Sequence, residues 1–196
     1  MTDLKKPGLK GNDPVLQVEE TALPGVLLIT PRVYHDERGA FFESFNLRRM
    51  TEAGLPAQWA QDNFSISHRN VLRGIHYQVT QPQGKLVSAV YGAVLDVAVD
   101  LRRSSTHCGR HVAVELSGGS GRMLWIPPGF GHGYLVLSES AGFAYKVTDY
   151  YSPAGERTIA WNDPELGIPW PIDARDVIVS AKDAAGVALR DAEIFP

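Results

Sequence analysis

Apolar and polar positions alternate with a period of two over several short segments, and this pattern predicts β-strands. In residues 85–102 two such runs are separated by Tyr91 and Gly92. The second run places Asp96 and Asp100 on the same face as Val94 and Ala98. Further strands are predicted at residues 16–19, 25–30, 72–75, 110–117, 122–126, 133–138 and 143–151. Because residues 117–121 form a Gly-rich connection, we expect the strands on either side of it to pair with each other.

Turn and helix signals complete the outline of the chain. Residues 36–39, Asp-Glu-Arg-Gly, have turn chemistry between aromatic positions, which predicts a hairpin with Arg38 and Glu43 near its tip or inner face. A short helix is predicted at residues 46–54 and another at residues 182–189. Residues 1–14 are polar, aperiodic and rich in Gly and Pro, so we expect a flexible N-terminal tail.

Many short strands with few helices are typical of a sandwich or barrel. No parallel βαβ rhythm appears, and neither a dinucleotide-binding fingerprint nor a P-loop occurs. We therefore predict an all-β fold, an antiparallel jelly-roll β-barrel formed by residues 15–196 as a single domain.

Composition adds few constraints. The 196 residues carry a net charge of −3, which does not favour nucleic-acid binding. A single cysteine, Cys108, excludes an intramolecular disulfide and most cysteine-based zinc sites. No apolar run is long enough to span a membrane and no leader opens the chain, so a cytoplasmic location is expected.

Two of the six histidines stand apart, because His76 and His132 lie beside glycines at strand edges within apolar stretches. Residues 127–132, PPGFGH, resemble the second motif of cupin barrels. The first cupin motif would supply two histidines, but here Gln78 replaces the second. Since a catalytic metal usually needs three protein ligands, we predict no metal.

An enzyme without a metal needs an acid and a base made from side chains. His76 is the candidate base on a predicted strand shared with Arg73, and a carboxylate should orient it, although the residues alone do not choose which one. The candidate acids are Tyr145, Tyr150 and Tyr151, which could equally be packing residues of a strand. Lys85 could stabilise an oxyanion or could be an ordinary edge-strand charge.

Nine segments resemble, in order and spacing over residues 16–189, the dTDP-4-dehydrorhamnose 3,5-epimerase family. They are DERGAFFESFN, QDNFSIS, LRGIHYQ, QGKLV, LDVAVDLRR, WIPPGFGHGY, YKVTDYYSP, WNDPELGIPWP and SAKD. The resemblance implies a cupin-like homodimer whose N-terminal strands pair across the interface. It also implies cofactor-free epimerisation of dTDP-4-keto-6-deoxy-D-glucose at C3 and C5 through an enolate.

The resemblance further implies a role for each matching residue. His76 would be the base, Asp183 its carboxylate partner, Tyr145 the proton donor and Lys85 the enolate stabiliser. The positions matching substrate contacts are Arg38 and Arg73 for the diphosphate, Glu43, Gln61 and Asn63 for the nucleotide and sugar, and His132, Glu156 and Lys182 for further binding.

Three alternatives stay open at this point. Close relatives in natural-product pathways keep the same residues and epimerise only C3 or only C5. A non-catalytic sugar-nucleotide-binding cupin or a sugar ketoisomerase would use the same barrel, although pure binding needs no acid–base pair. A metal-dependent cupin oxygenase is disfavoured by Gln78.

Overall fold

Two antiparallel β-sheets pack face to face in the computed structural model, which describes residues 15–196. The predicted tail, residues 1–14, lies outside the described residues. Within the described part the strands are β1 (Leu16–Glu20), β2 (Leu27–Pro31), β3 (Tyr34–Asp36), β4 (Gly39–Phe41), β5 (Gln61–His68), β6 (Leu72–Gln78), β7 (Lys85–Tyr91), β8 (Ala93–Asp100), β9 (His111–Ser117), β10 (Met123–Ile126), β11 (Phe130–Val136), β12 (Ser140–Val147) and β13 (Glu156–Thr158). The helices are α1 (Leu47–Glu52), α2 (Ala181–Ala184) and a 3-10 turn at Leu189–Asp191.

One sheet has six strands in the order β1-β2-β10-β7-β12-β5, and the other has five in the order β13-β6-β11-β8-β9. Strands that follow each other in sequence often lie in different sheets, as expected for a jelly roll. The predicted fold class is confirmed.

Three apolar clusters hold the two sheets against each other and against the C-terminal segment and α1. The central cluster fills the space between the sheets and includes Val87, Val94 and Phe143. A second cluster lies between the five-stranded sheet and the C-terminal segment, and a third packs α1 against the six-stranded sheet. Both faces of β8 are therefore buried, and the face that carries Asp96 and Asp100 is as inaccessible as the apolar one.

One predicted pairing is wrong. β9 does not pair with β10 across residues 117–121: β9 lies beside β8 in the five-stranded sheet, and β10 lies between β2 and β7 in the other. The Gly-rich connection carries the chain from one sheet to the other. Since both strands are apolar, their own composition does not distinguish a hairpin partner from a strand that crosses over.

Local predictions were otherwise close to the structure. The hairpin of β3 and β4 has Arg38 in its turn, and Asn46 caps α1 by accepting a hydrogen bond from the backbone N–H of Arg49. β12 begins earlier and ends earlier than predicted, so Tyr150 and Tyr151 follow the strand instead of lying in it. The predicted C-terminal helix is only the four residues of α2.

Candidate functional site

A cavity of about 490 Å³ opens between the two sheets at the ends of β5, β6 and β12. Ten of the twelve predicted site residues line it. These ten are Gln61, Asn63, Arg73, His76, Lys85, His132, Tyr145, Glu156, Lys182 and Asp183. Polar and ionisable side chains from seven separate segments of the chain thus meet in one cavity.

His76 and Asp183 meet although 107 residues separate them in sequence, and Nε2 of the imidazole forms a hydrogen bond with a carboxylate oxygen of Asp183. The C-terminal segment brings Asp183 into place because it is fastened to the sheet on both sides of α2. Before α2, the backbone of Ile178 pairs with Val71, and after α2 that of Val187 pairs with Ile159.

Asp183 is buried, and its environment keeps it ionised. Burial alone would raise the pKa of its carboxyl, but hydrogen bonds from His76 and Ser180 and the neighbouring positive charge of Lys182 together bring this pKa below its ordinary value. The Ser180 hydroxyl donates to the second carboxylate oxygen over 2.8 Å. An ionised carboxylate here orients the imidazole and stabilises the imidazolium that forms when the ring accepts a proton.

Lys85 and Tyr145 are the other two predicted catalytic residues that line the cavity. Burial lowers the pKa of the Lys85 ammonium to about 8, an effect that the negative charges of Asp96 and Glu156 partly oppose. Its Nζ lies 3.4 Å from the backbone carbonyl oxygen of His76. Burial raises the pKa of the Tyr145 phenol, so this side chain keeps its proton at neutral pH.

Polar groups suited to a phosphorylated ligand lie beside these residues. Arg73 donates from Nε to the Ser67 hydroxyl over 3.1 Å, and the described residues place no carboxylate in an ion pair with its guanidinium. Gln61 donates to the side-chain oxygen of Asn63 over 2.6 Å on β5. A guanidinium without a carboxylate partner is well suited to bind a diphosphate.

Glu156 connects two further groups of the cavity wall. It accepts hydrogen bonds from Lys182 Nζ over 2.8 Å and from the Tyr151 hydroxyl over 3.0 Å. Although burial would raise the pKa of Glu156, these two contacts bring it below its ordinary value. Tyr151 therefore serves as a hydrogen-bond donor to a carboxylate, which distinguishes it from Tyr145.

Arg38 and Glu43 are not in this cavity. They line a separate cavity of about 660 Å³ together with Arg32, Tyr34 and Arg49. Arg38 pairs with Asp36 inside its own hairpin, and Glu43 pairs with Arg49. One copy of the chain thus leaves these two predicted substrate-binding residues apart from the other ten.

Sequence reasoning missed Asp96 and Tyr134. Asp96 is fully buried on β8 and binds Nε2 of His132 over 2.9 Å, and Tyr134 lines the cavity with its hydroxyl 2.9 Å from that of Ser65. Asp96 occurs in the quoted segment LDVAVDLRR and falls on an apolar face of β8, where a carboxylate is costly unless it is paired. The expected cost of burying this carboxylate was the feature of the sequence that could have identified Asp96 as a site residue.

Gln78 lies where a cupin would carry its second histidine. Its side-chain amide forms hydrogen bonds with backbone groups. The amide nitrogen donates to the carbonyl oxygen of Gln81 over 2.8 Å, and the amide oxygen accepts from the backbone N–H of Ser152 over 2.9 Å. Within residues 15–196 no three His, Cys, Asp or Glu side chains are grouped as metal ligands. That the reaction needs no metal stays a prediction.

Comparison with known proteins gives a consistent result. A family model described as dTDP-4-dehydrorhamnose 3,5-epimerase matches residues 20–191. A relative of that name from Pseudomonas aeruginosa is 52% identical over 182 residues, which cover 92% of this chain and 100% of the relative. The crystal structure of a dTDP-6-deoxy-D-glucose-3,5-epimerase from Legionella pneumophila in complex with dTDP-4-keto-L-rhamnose is 48% identical, with a TM-score of 0.87, and the match covers 91% of this chain and 95% of that one.

A more distant relative has a narrower name. The dTDP-4-dehydrorhamnose 3-epimerase from Streptomyces niveus is 37% identical over 186 residues, covering 92% of this chain and 89% of the relative. In the part of the chain that the structure describes, no helix has the length and apolar character needed to cross a membrane.

Proposed function

The chain belongs to the dTDP-4-dehydrorhamnose 3,5-epimerase family, and from this premise we propose how its residues invert two carbons of a keto sugar. It is an isomerase, and its substrate is a dTDP-linked 4-keto-6-deoxyhexose. The observation that supports the proposed mechanism is the pairing of His76 with buried Asp183 in the same cavity as Lys85 and Tyr145.

His76 is the proposed base. Its Nε2–H donates to the Asp183 carboxylate, which leaves the Nδ1 lone pair free to accept a proton. The ketone at C4 of the sugar acidifies the protons on C3 and C5. When Nδ1 takes one of these protons, the electron pair of the C–H bond forms a carbon–carbon double bond with C4, and the carbonyl electrons move to O4.

Lys85 and Tyr145 act on the enolate. The Lys85 ammonium stabilises the negative charge on O4, and this effect is stronger than in bulk water because burial desolvates the ammonium. The Tyr145 phenol, kept protonated by burial, then returns a proton to the opposite face of the carbon and inverts it. His76 then loses its added proton to solvent and the Tyr145 phenolate takes one up. The same transfers at the second carbon complete the double inversion, and no redox step or cofactor is required by this sequence of proton transfers.

The remaining cavity residues hold the substrate. Arg73 binds the diphosphate, and Gln61 and Asn63 contact the nucleotide and sugar from β5. His132, Glu156 and Lys182 bind around the sugar. A substrate held with its C–H bonds near His76 reacts faster because binding has already positioned and oriented the reacting groups.

We propose a homodimer in which each copy supplies its β3–β4 hairpin to the cavity of the other. Arg38 and Glu43 lie apart from the central cavity of their own chain, so a second copy is needed to place them at a substrate. The outer face of the six-stranded sheet also exposes an apolar surface, with Phe64 55% and Ile66 61% exposed. An exposed patch of this kind is typical of an interface. The cytoplasmic location expected from the sequence stays a prediction.

The test of this function is deuterium incorporation from D₂O into dTDP-4-keto-6-deoxy-D-glucose, followed by NMR at C3 and C5. We expect label at both carbons together with the inverted product. Label at one carbon alone would place the protein with the single-centre epimerases. No label at either carbon, with dTDP binding intact, would contradict the proposal and favour a sugar-nucleotide-binding protein.

A further inference from the structure

Two carboxylate–imidazole pairs place their rings in the cavity, and the proton transfers described above use only one of them. His76 on β6 and His132 on β11 are direct register partners on adjacent strands, and both rings line the cavity. Each ring places Nε2 against a buried carboxylate of its own, which is Asp183 for His76 and Asp96 for His132.

The second pair is the more deeply buried of the two. Asp96 is 0% exposed and His132 is 7% exposed. One carboxylate oxygen of Asp96 binds His132 over 2.9 Å, and the other has no hydrogen-bond partner among the described residues. Leaving a buried carboxylate oxygen without a partner costs free energy, which is typical of a group retained for function.

The bond to Asp96 decides which ring nitrogen of His132 carries the proton. A carboxylate only accepts hydrogen bonds, so the proton lies on Nε2. Burial lowers the pKa of His132, the charges of Lys85 and His76 lower it further, and the charge and hydrogen bond of Asp96 oppose them. The ring therefore stays neutral and offers a lone pair on Nδ1, to which no described residue donates a hydrogen bond.

The cationic side chains of the cavity have the opposite character. Arg73, Lys85 and Lys182 are donors, suited to phosphate and carbonyl oxygens. A sugar hydroxyl also needs an acceptor, and neutral His132 is an acceptor directly beside the base His76.

We propose that Asp96 is a positioning residue of this enzyme: it holds His132 in its Nε2–H tautomer, so that Nδ1 accepts a hydrogen bond from a hydroxyl of the sugar next to the reacting carbon. This proposal rests on the proposed function for the identity of the ligand. The assignment of the tautomer depends only on the contact between the two side chains.

The experiment combines ¹⁵N NMR of the histidine rings with kinetics of Asp96→Asn. In the wild-type protein the spectrum should show His132 neutral and protonated on Nε2. The Nδ1 signal should shift on addition of dTDP-glucose but not of dTDP alone, because only dTDP-glucose carries the hexose that would occupy the site beside His76. In the Asp96→Asn variant the introduced amide can donate to Nε2, which would move the ring proton to Nδ1 and turn the acceptor into a donor.

For Asp96→Asn we expect kcat/KM for the keto sugar to fall by about 10–100-fold, the size of loss found when a carboxylate that orients a metal-binding histidine is changed. Affinity for dTDP should change by less than about twofold. Asp100→Asn is the matched control: Asp100 is equally buried on β8, but Arg102 and Ser105 hold it outside the cavity. It should lose stability without a change in kcat/KM or in the His132 spectrum.

The proposal is overturned if Asp96→Asn behaves like Asp100→Asn in both readouts. It is equally overturned if wild-type His132 is protonated on Nδ1 or charged at neutral pH, a result that stands even where the variant does not fold. A wild-type protein that shows the predicted tautomer but no deuterium exchange would contradict the proposed function and leave the Asp96 assignment standing.

Discussion

At the scale of single residues, the environment of each side chain decides its chemical role. His76 and His132 are the same residue type on paired strands, yet one is 24% exposed and the other 8% exposed in the side chain. The more accessible ring suits a base that must exchange protons with solvent between turnovers. The buried ring suits a fixed contact to the substrate.

The proposed role of Lys85 predicts that the reaction is sensitive to alkaline pH. In that mechanism the charged ammonium stabilises the enolate, and this charge is present below the pKa of Lys85 and is lost above it. Because burial lowers this pKa to about 8, we expect kcat/KM to decrease as the pH rises through about 8, well below the ordinary titration range of lysine. The measurement is a pH profile of kcat/KM between pH 6 and about 10.

Two variants test whether Lys85 causes this decrease in kcat/KM at alkaline pH. In Lys85→Arg the guanidinium stays charged over the whole range, so whatever activity remains should lose the decrease above about pH 8. In Lys85→Met activity should be low at every pH, because no cation faces O4. If the alkaline decrease persisted unchanged in Lys85→Arg, another group would be responsible for it.

At the scale of elements, the close approach of β6 and β11 places the two histidines side by side. Gly74 and Gly133 lie at this crossing, and a Cβ added to Gly74 would lie 2.5 Å from the Cα of Gly133 and 2.7 Å from the carbonyl oxygen of His132. Gly74 also has a φ of +124°, which L-residues rarely adopt. Only glycine permits the two strands to pair this closely here.

We therefore expect Gly74→Ala to decrease the free energy of unfolding by about 2–6 kcal/mol, which combines backbone strain with overpacking against a neighbouring strand. The soluble fraction should also lose activity, since the clash lies beside the backbone of His132. Urea denaturation followed by fluorescence measures the change. Gly119→Ala is the control, because Gly119 has a φ of +80° but no atom within 4 Å of an added Cβ.

If both variants lost the same stability, the contact with β11 would not be the reason that glycine is needed at position 74. A Gly74→Ala protein as stable as the wild type would show that β6 and β11 separate without cost, contrary to the packing described above.

At the scale of the whole molecule, the central cavity holds ten of the predicted site residues, while the β3–β4 hairpin lies elsewhere. The proposed homodimer accounts for this division, because the hairpin of one copy would serve the site of the other. This arrangement has a consequence for mixed dimers that a monomeric enzyme would not share.

Arg38→Ala and His76→Ala should each be nearly inactive alone, and co-refolding the two should restore activity. In the mixed dimer one site receives His76 from one chain and Arg38 from its partner, while both defects fall in the other site. Mixing Lys85→Met with His76→Ala is the matched control. Both of these residues lie in the same cavity of one chain, so no intact site forms. Absence of restored activity in the first mixture, with dimers present, would contradict the exchange of hairpins.

The sequence by itself determined the local features of this protein. Strand positions follow from a period of two, the hairpin turn from Asp36 to Gly39, and the short helix α1 from residues 46–54, because each depends on neighbouring residues only. Motif resemblance also identified His76, Lys85, Tyr145 and Asp183 as candidates, since their residue types and spacing carry the chemistry.

Tertiary structure alone decided which distant residues meet. The path of β9 and β10 into different sheets, the pairing of Asp96 with His132 and the separation of Arg38 and Glu43 from the cavity depend on contacts far apart in sequence. A local pattern reports which face of a strand is apolar, but it does not report which strand covers that face. For that reason the sequence shows Asp96 only as a polar residue in an alternating strand. Its role as the partner of His132 becomes visible once the opposite sheet and His132 are in place.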